Sequence, residues 1–396
     1  MERRIGTVSM GVRAPIIREG DDIVAIVSDS VLAAARSEGR AFRDRDIVAV
    51  TEAVVARAQG NYATVDHIAE DIRRKFPSGT IGVIFPILSR NRFSVCLMGI
   101  AKGARRITLM LSYPSDEVGN HLITLDELDS AGIDPYTDVL SEAAFRRKFG
   151  HKPHEFTGVD YIDYYKQLAK EQGADVEIIL ANNCRTILDY TSDVLYCDVH
   201  TRARSRRLLR EAGTGIVLGL EDIMTESIRG SGYNPEYGLL GSNKATEDSV
   251  KLFPRDTQPV VDGIQKRLNE ATGCHIEVMI YGDGAFKDPV GKIWELADPV
   301  VSPAYTSGLE GQPSEVKLKY LADNDFAHLC GDELEQAISD YIRHKGADLV
   351  GEMASQGTTP RRLTDLIGSL CDLTSGSGDK GTPIVWIQGY FDNFTA

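Results

Sequence analysis

The sequence predicts a mixed α+β fold with an expanded middle segment, and three observations carry that prediction. Strand-like and helix-like patterns interleave along the whole chain, so neither an all-α nor an all-β architecture fits. They interleave without the even β-α-β-α rhythm that would demand one large parallel sheet. From about 116 to 230 the texture changes to loops, tyrosines and arginines, which sets the middle apart from both ends. The chain has 396 residues, 42% apolar and 26% charged, enough for a sizeable core and for more than one domain. We expect an N-terminal part over 1–115, an inserted or expanded part over 116–230 and a C-terminal part over 231–396.

The elements follow in order. IGTVSMGV (5–12) reads as a strand. A helix starts at Asp21 or Asp22, with Ile23, Val24, Val27, Val31 and Ala34 at helical spacing. DIVAVT (46–51) is a buried strand, and TVDHIAEDIRRKF (64–76) is an amphipathic helix opened by a capping threonine. IGVIFPI (81–87) and RITLMLSY (106–113) are strands around a helix beginning near Ser89. The middle offers a tyrosine-rich helix (160–173), strands at 175–180 and 193–199, and the basic run HTRARSRRLLREAG (200–213). Helices over 258–271 and 332–345, a third from 358–363, and strands over 276–281 and 383–390 complete the chain.

The formal charge of −14 argues against a general nucleic-acid binder or a protein of anionic membrane surfaces. Acidic small molecules stay compatible with it if basic side chains or metal ions neutralise them locally. The six cysteines form no Cys-x-x-Cys pair, no segment has ~18 unbroken apolar residues, and the N-terminus lacks an apolar leader. We expect a reduced, cytoplasmic protein. GSGDKGT (376–382) has the ingredients of a phosphate loop in the wrong order, and GTGIVLG (213–219) reads as a connector. The arginines of 200–213, and Lys102 with Arg105 and Arg106, read as solvated faces before they read as anion sites.

HIEVMIYGDGAFKDP (275–289) poses the sharper question, because an apolar strand ends on Asp283 held between Gly282 and Gly284. Gly-Asp-Gly is a good turn. It is also a way to hold an ion beside a phosphate, since hard cations such as Mg²⁺ take one or two carboxylates with phosphate oxygens and water. Glu247 and Asp248, with Ser249, form a second acidic loop before the same helix. On the residues alone both readings stay open.

KLFPRDTQPVVDGIQKRLNEATGCHIEVMIYGDGAFKDP (251–289) resembles the core of the coenzyme F420-0:γ-glutamyl ligases, with its Leu-Pro-x-Asp-like turn, helix, Thr-Gly break, strand and metal loop. MGVRAPIIREGDDI (10–23), DIVAVTEAVVARAQGN (46–61), GADLVGEMA (346–354) and GTPIVWIQGY (381–390) resemble further segments in the family's order. The resemblance covers about 1–65 and 240–396; the middle does not align and is longer than in the family's small members.

The resemblance implies an α+β ligase core, a homodimer, and small-molecule substrates: GTP, glutamate and an acidic acceptor such as F420-0. It implies Mg²⁺ or Mn²⁺, and amide formation through an acyl phosphate. Carried over by position, Asp283 is a metal ligand and, with Lys287, a catalytic residue; Lys287 and Asp288 read equally as a surface pair. Gly284 stands where the family has a hydroxyl residue beside a second ion. Glu247, or Asp248, replaces a metal-binding aspartate, and Glu352 is the late acid. Ala14, Pro15, Glu52, Ala53, Arg57 and Ser249 fall at nucleotide-contacting positions. Arg57 replaces a lysine and changes the phosphate geometry. Such departures keep two alternatives in view: a divergent nucleotide- or metabolite-binding protein on the same fold, and a glutamyl ligase for a folate.

Overall fold

The computed structural model describes residues 5–395 apart from 214, 285–296, 347, 350, 356–360 and 376–377. The N-terminal part forms β1 (Val8–Val12), α1 (Ile23–Glu38), β2 (Ile47–Thr51), α2 (Glu52–Ala58), β3 (Tyr62–Thr64) and α3 (Val65–Lys75). There follow β4 (Thr80–Ile84), α4 (Ser94–Gly103), β5 (Arg106–Leu111), α5 (Leu125–Ser130), β6 (Leu140–Ser141) and α6 (Glu142–Phe149). Next are α7 (Tyr161–Glu171), β7 (Asp175–Leu180), β8 (Val194–Tyr196), α8 (Arg202–Glu211) and β9 (Val217–Gly219). The C-terminal part adds β10 (Asn243–Thr246), β11 (Ser249–Lys251), α9 (Gln258–Thr272), β12 (Glu277–Tyr281) and β13 (Ala304–Tyr305). It ends with α10 (Leu318–Asp323), α11 (Gly331–His344), α12 (Leu363–Thr374) and β14 (Ile384–Gln388).

Local chemistry sets the helix ends. Asp22 caps α1 by accepting from the Ala25 N–H at 3.0 Å, and Gly39, in the left-handed region at φ 60°, ends it. Thr64 caps α3, and the His67 ring returns a bond to the Thr64 N–H, so this histidine is a helix-start residue.

The terminal parts share a five-stranded sheet in the order β1-β14-β2-β12-β13. β2 and β12 are parallel and the other pairs antiparallel. Val48, Val50, Val278 and Ile280 face α1 and α9, while Ile47, Ala49 and Met279 face α12. Both faces are covered, which is why the strands read as unbroken apolar runs. A hairpin of β10 and β11, joined to β3, ties the two ends of the chain together.

β4 and β5, from before residue 115, join β6 to β9 of the middle in a second sheet of order β6-β7-β5-β4-β8-β9, parallel except for β6. Its parallel strands run third-second-first-fourth-fifth in chain order, a doubly wound arrangement whose direction reverses between β4 and β8. The long irregular stretch between β5 and β7 hides that rhythm from a sequence reading. GTGIVLG ends as the edge strand β9. In α8, Ser205 and Leu209 are buried and Leu208 is partly so, while Arg206 and Arg207 pair with Glu221 and Glu211. Lys102 pairs with Asp66 and Arg106 with Glu177, as solvated faces do. Among the described residues no helix is long and apolar enough to cross a membrane.

Candidate active site

In the parallel pair β2 and β12, Tyr281 sits opposite Thr51. Both strands therefore deliver their next residues, Glu52 and Gly282-Asp283, to the same edge of the sheet. Ligands of α/β sheets gather at such carboxyl ends.

Four carboxylates meet there. Glu52 opens α2, is only 5% exposed, and accepts a hydrogen bond from Lys251 Nζ of β11 at 2.8 Å. Asp283 pairs with Arg92 Nη2 at 2.6 Å. The same guanidinium bonds Asp298 through Nη1 at 2.9 Å and the Gly241 carbonyl at 3.3 Å. Asp298 also accepts the Asp283 N–H at 2.8 Å, and Asp372 of α12 accepts the Gly284 N–H at 3.2 Å. Burial pushes the Glu52 carboxyl upward, with Lys251 opposing and Asp298 adding to the shift. Burial also raises Asp372, against the Gly284 N–H. Four acids facing one guanidinium and one ammonium leave an excess of negative charge when all are ionised.

The two glycines are steric necessities here. A side chain at 282 would run into the Asp298 carboxylate, and a Cβ at 284 would lie 2.8 Å from the Ser369 Cα. They admit Asp298 and the α12 backbone to Asp283.

Oxygen donors and surplus negative charge suit a hard divalent cation, and Asp283, Asp298 and Asp372 are the residues that would hold one. Arg92 now spans two of them. Among the described residues, only His151, Asp160 and Asp163 bring three ligand atoms within 4.8 Å, and there Arg146 already binds both aspartates.

The remaining expected residues are spread more widely. Glu247 sits exposed at the hairpin tip and pairs with Lys244 at 2.7 Å. Asp248 is exposed and accepts from Thr246, while Ser249 pairs with Thr64 in the sheet. Glu352 lies exposed in a turn after α11. The structure does not bond these three acids to Asp283 among the described residues. Lys287 and Asp288 lie outside the described residues.

Glu52, expected beside a nucleotide, points into the buried pair with Lys251, and Ala53 follows it on α2. The Ala14 N–H bonds the Gly381 carbonyl, Pro15 is exposed, and the Gly20 N–H bonds the Ala58 carbonyl at the end of α2, next to exposed Arg57. Arg13, Arg18, Arg57 and Lys380 form no ion pair among the described residues and are exposed. Arg13, Thr374 and Lys380 line a groove of about 880 Å³, and Thr374 stands two residues beyond Asp372 on α12.

Arg92, Lys251, Asp298 and Asp372 were missed by sequence reasoning. Only Lys251 carried a signal: a lysine inside the apolar run VKLF needs a buried partner.

A covered mixed sheet that ends in clustered acids describes an α+β enzyme, and comparison with known families gives its class, a ligase. The chain belongs to the F420-0:gamma-glutamyl ligase family, whose model matches residues 11–389. The match runs through the middle segment, beyond the reach of the resemblance read from the sequence. No curated protein matches the chain significantly.

Proposed function

We propose that the protein joins glutamate to an acidic acceptor, using GTP to activate the acceptor carboxyl as an acyl phosphate. F420-0 is the first acceptor to test, by family. In the first step an acceptor carboxylate oxygen attacks the γ-phosphorus and GDP leaves. In the second, the glutamate amine attacks the acyl carbon, phosphate departs, and the amine gives up a proton as the amide forms.

The observation that carries this reading is the acid cluster at the carboxyl ends of β2 and β12. A transferring phosphoryl group is stabilised mainly by charge placed around it. Mg²⁺ or Mn²⁺, when bound, would neutralise the phosphate oxygens. Asp283, Asp298 and Asp372 orient that charge, and Arg92 adds a guanidinium already fixed by two carboxylates. Glu52 and Lys251 hold the wall behind them. In this reading Arg57 and the segment at Ala14 and Pro15 would receive nucleotide phosphates. The exposed Glu247, Asp248 and Glu352 stay candidates only for a rearranged, loaded state. A homodimer belongs to the same reading, and the outer edge of β1 is open to a second copy among the described residues.

The test is phosphate release with GTP, Mn²⁺, glutamate and F420-0. Turnover should require all four, and Asp283→Asn should lower it by about 10²-fold or more. Nucleotide stabilisation without turnover on F420-0 or a folate would favour the binding-protein alternative.

A further inference from the structure

A second cavity adjoins the acids. It has a volume of about 330 Å³, within the range of small-molecule sites. It lies over the carboxyl ends of β4 and β5, formed by the loop after β4, the segment after β5 and the approach to α7. Ligands of doubly wound sheets gather at the carboxyl ends of the strands, and β4 is one of the two strands at the reversal point.

Three properties define what it would take. In a chain of charge −14 its described lining contains no aspartate or glutamate, yet contains Arg90 and Arg92. Arg90 is exposed and forms no ion pair among the described residues. The ring of Phe156, 51% exposed, offers a face for stacking, while Tyr161 lines the cavity as a buried ring packed on His154. Asn120 and His154 add polar groups; His154 Nδ1 accepts from the Thr157 N–H at 3.3 Å, so Nε2 carries the proton.

The seat that a nucleotide phosphate would use at the switch point, between β4 and β8, is already filled. Glu117 accepts the N–H groups of Val199, His200 and Thr201 at the start of α8. One unpaired guanidinium suits a single anionic group better than a triphosphate. Arg92 is shared: it lines this cavity while its nitrogens hold Asp283 and Asp298.

We propose that the crevice is the acceptor site, taking a flat-ringed acid with one anionic group on Arg90 and its reacting carboxyl turned toward Arg92. This rests on the ligase reading above and adds that the loops at the carboxyl ends of the second sheet set acceptor specificity.

The experiment is titration calorimetry on the full chain without nucleotide, using F420-0 and pteroylglutamate as probes. At least one should bind, Arg90→Ala should weaken it about 10-fold or more, Arg90→Lys should recover part, and Phe156→Ala should weaken it severalfold. GTP–Mn²⁺ thermal stabilisation, measured on the same proteins, should not move. Equal acceptor affinity in Arg90→Ala, or no binding of either acid to the unaltered chain, overturns the assignment. So does a loss of GTP stabilisation in Arg90→Ala, which would place the nucleotide in the crevice. Turnover without any effect of Arg90 would leave the ligase reading standing and remove only the acceptor site.

Discussion

Lys251 shows how much one residue contributes when its partner is buried. It and Glu52 are 9% and 5% exposed, so neither charge has much water to fall back on. Lys251→Met should cost about 3–5 kcal/mol in urea denaturation, because it strands the Glu52 carboxylate. The double variant Glu52→Gln/Lys251→Met should recover most of that loss. A single variant as stable as the parent would show that the pair is solvated. Gly284 gives a second prediction at this scale. Placing a hydroxyl there with Gly284→Ser pushes a Cβ against the α12 backbone. It should destabilise by about 1–3 kcal/mol and lower activity. A gain in activity would show that α12 yields easily.

At the scale of elements, α3 and α4 pack closely because α4 carries glycines on the shared face. A Cβ at Gly99 would lie 2.5 Å from the Ile68 Cβ, and one at Gly103 would lie 2.8 Å from the Ala69 carbonyl oxygen. Gly99→Ala should cost about 1–3 kcal/mol by overpacking, read as a lower denaturation midpoint. The end of β8 gives a pH dependence. Asp198 accepts from Thr201 and Ser205, but burial pushes its carboxyl up to about 6. An unfolded aspartate ionises near ~3.9. Between those values the unfolded chain has released its proton and the folded chain keeps it. Stability therefore falls as pH rises from about 4 to about 6, and levels off above. Roughly two pH units at ~1.4 kcal/mol each give ~3 kcal/mol. Asp198→Asn lacks this slope, so the difference in unfolding free energy between the two proteins should grow across that window. Parallel pH profiles would show an ordinary carboxyl.

Much of this scale was legible in the sequence. Asp22 and Thr64 announce their helix starts because caps act within a few residues of chain. The doubly wound middle sheet was not, because β5 and β7 are adjacent in space but separated by more than sixty residues.

For the whole molecule, nucleotide and metal should stabilise the fold together. GTP with Mn²⁺ at ~100 times its dissociation constant should add about 2.7 kcal/mol, and Asp283→Asn should abolish the metal-dependent share. A midpoint unmoved by GTP in thermal denaturation would defeat the nucleotide reading. Sedimentation of the unaltered chain should give a dimer if the open β1 edge takes a second copy.

The sequence by itself determined the order of most strands and helices, the class of fold and the glycine-flanked acid at the end of β12. These are local signals of periodicity, capping and turn chemistry. Only the tertiary structure decided which charges surround that acid. Arg92, Lys251, Asp298 and Asp372 come from four separate segments, and no spacing rule links them. Electrostatics depends on distance through the fold, and the parallel pairing of β2 with β12 sets those distances.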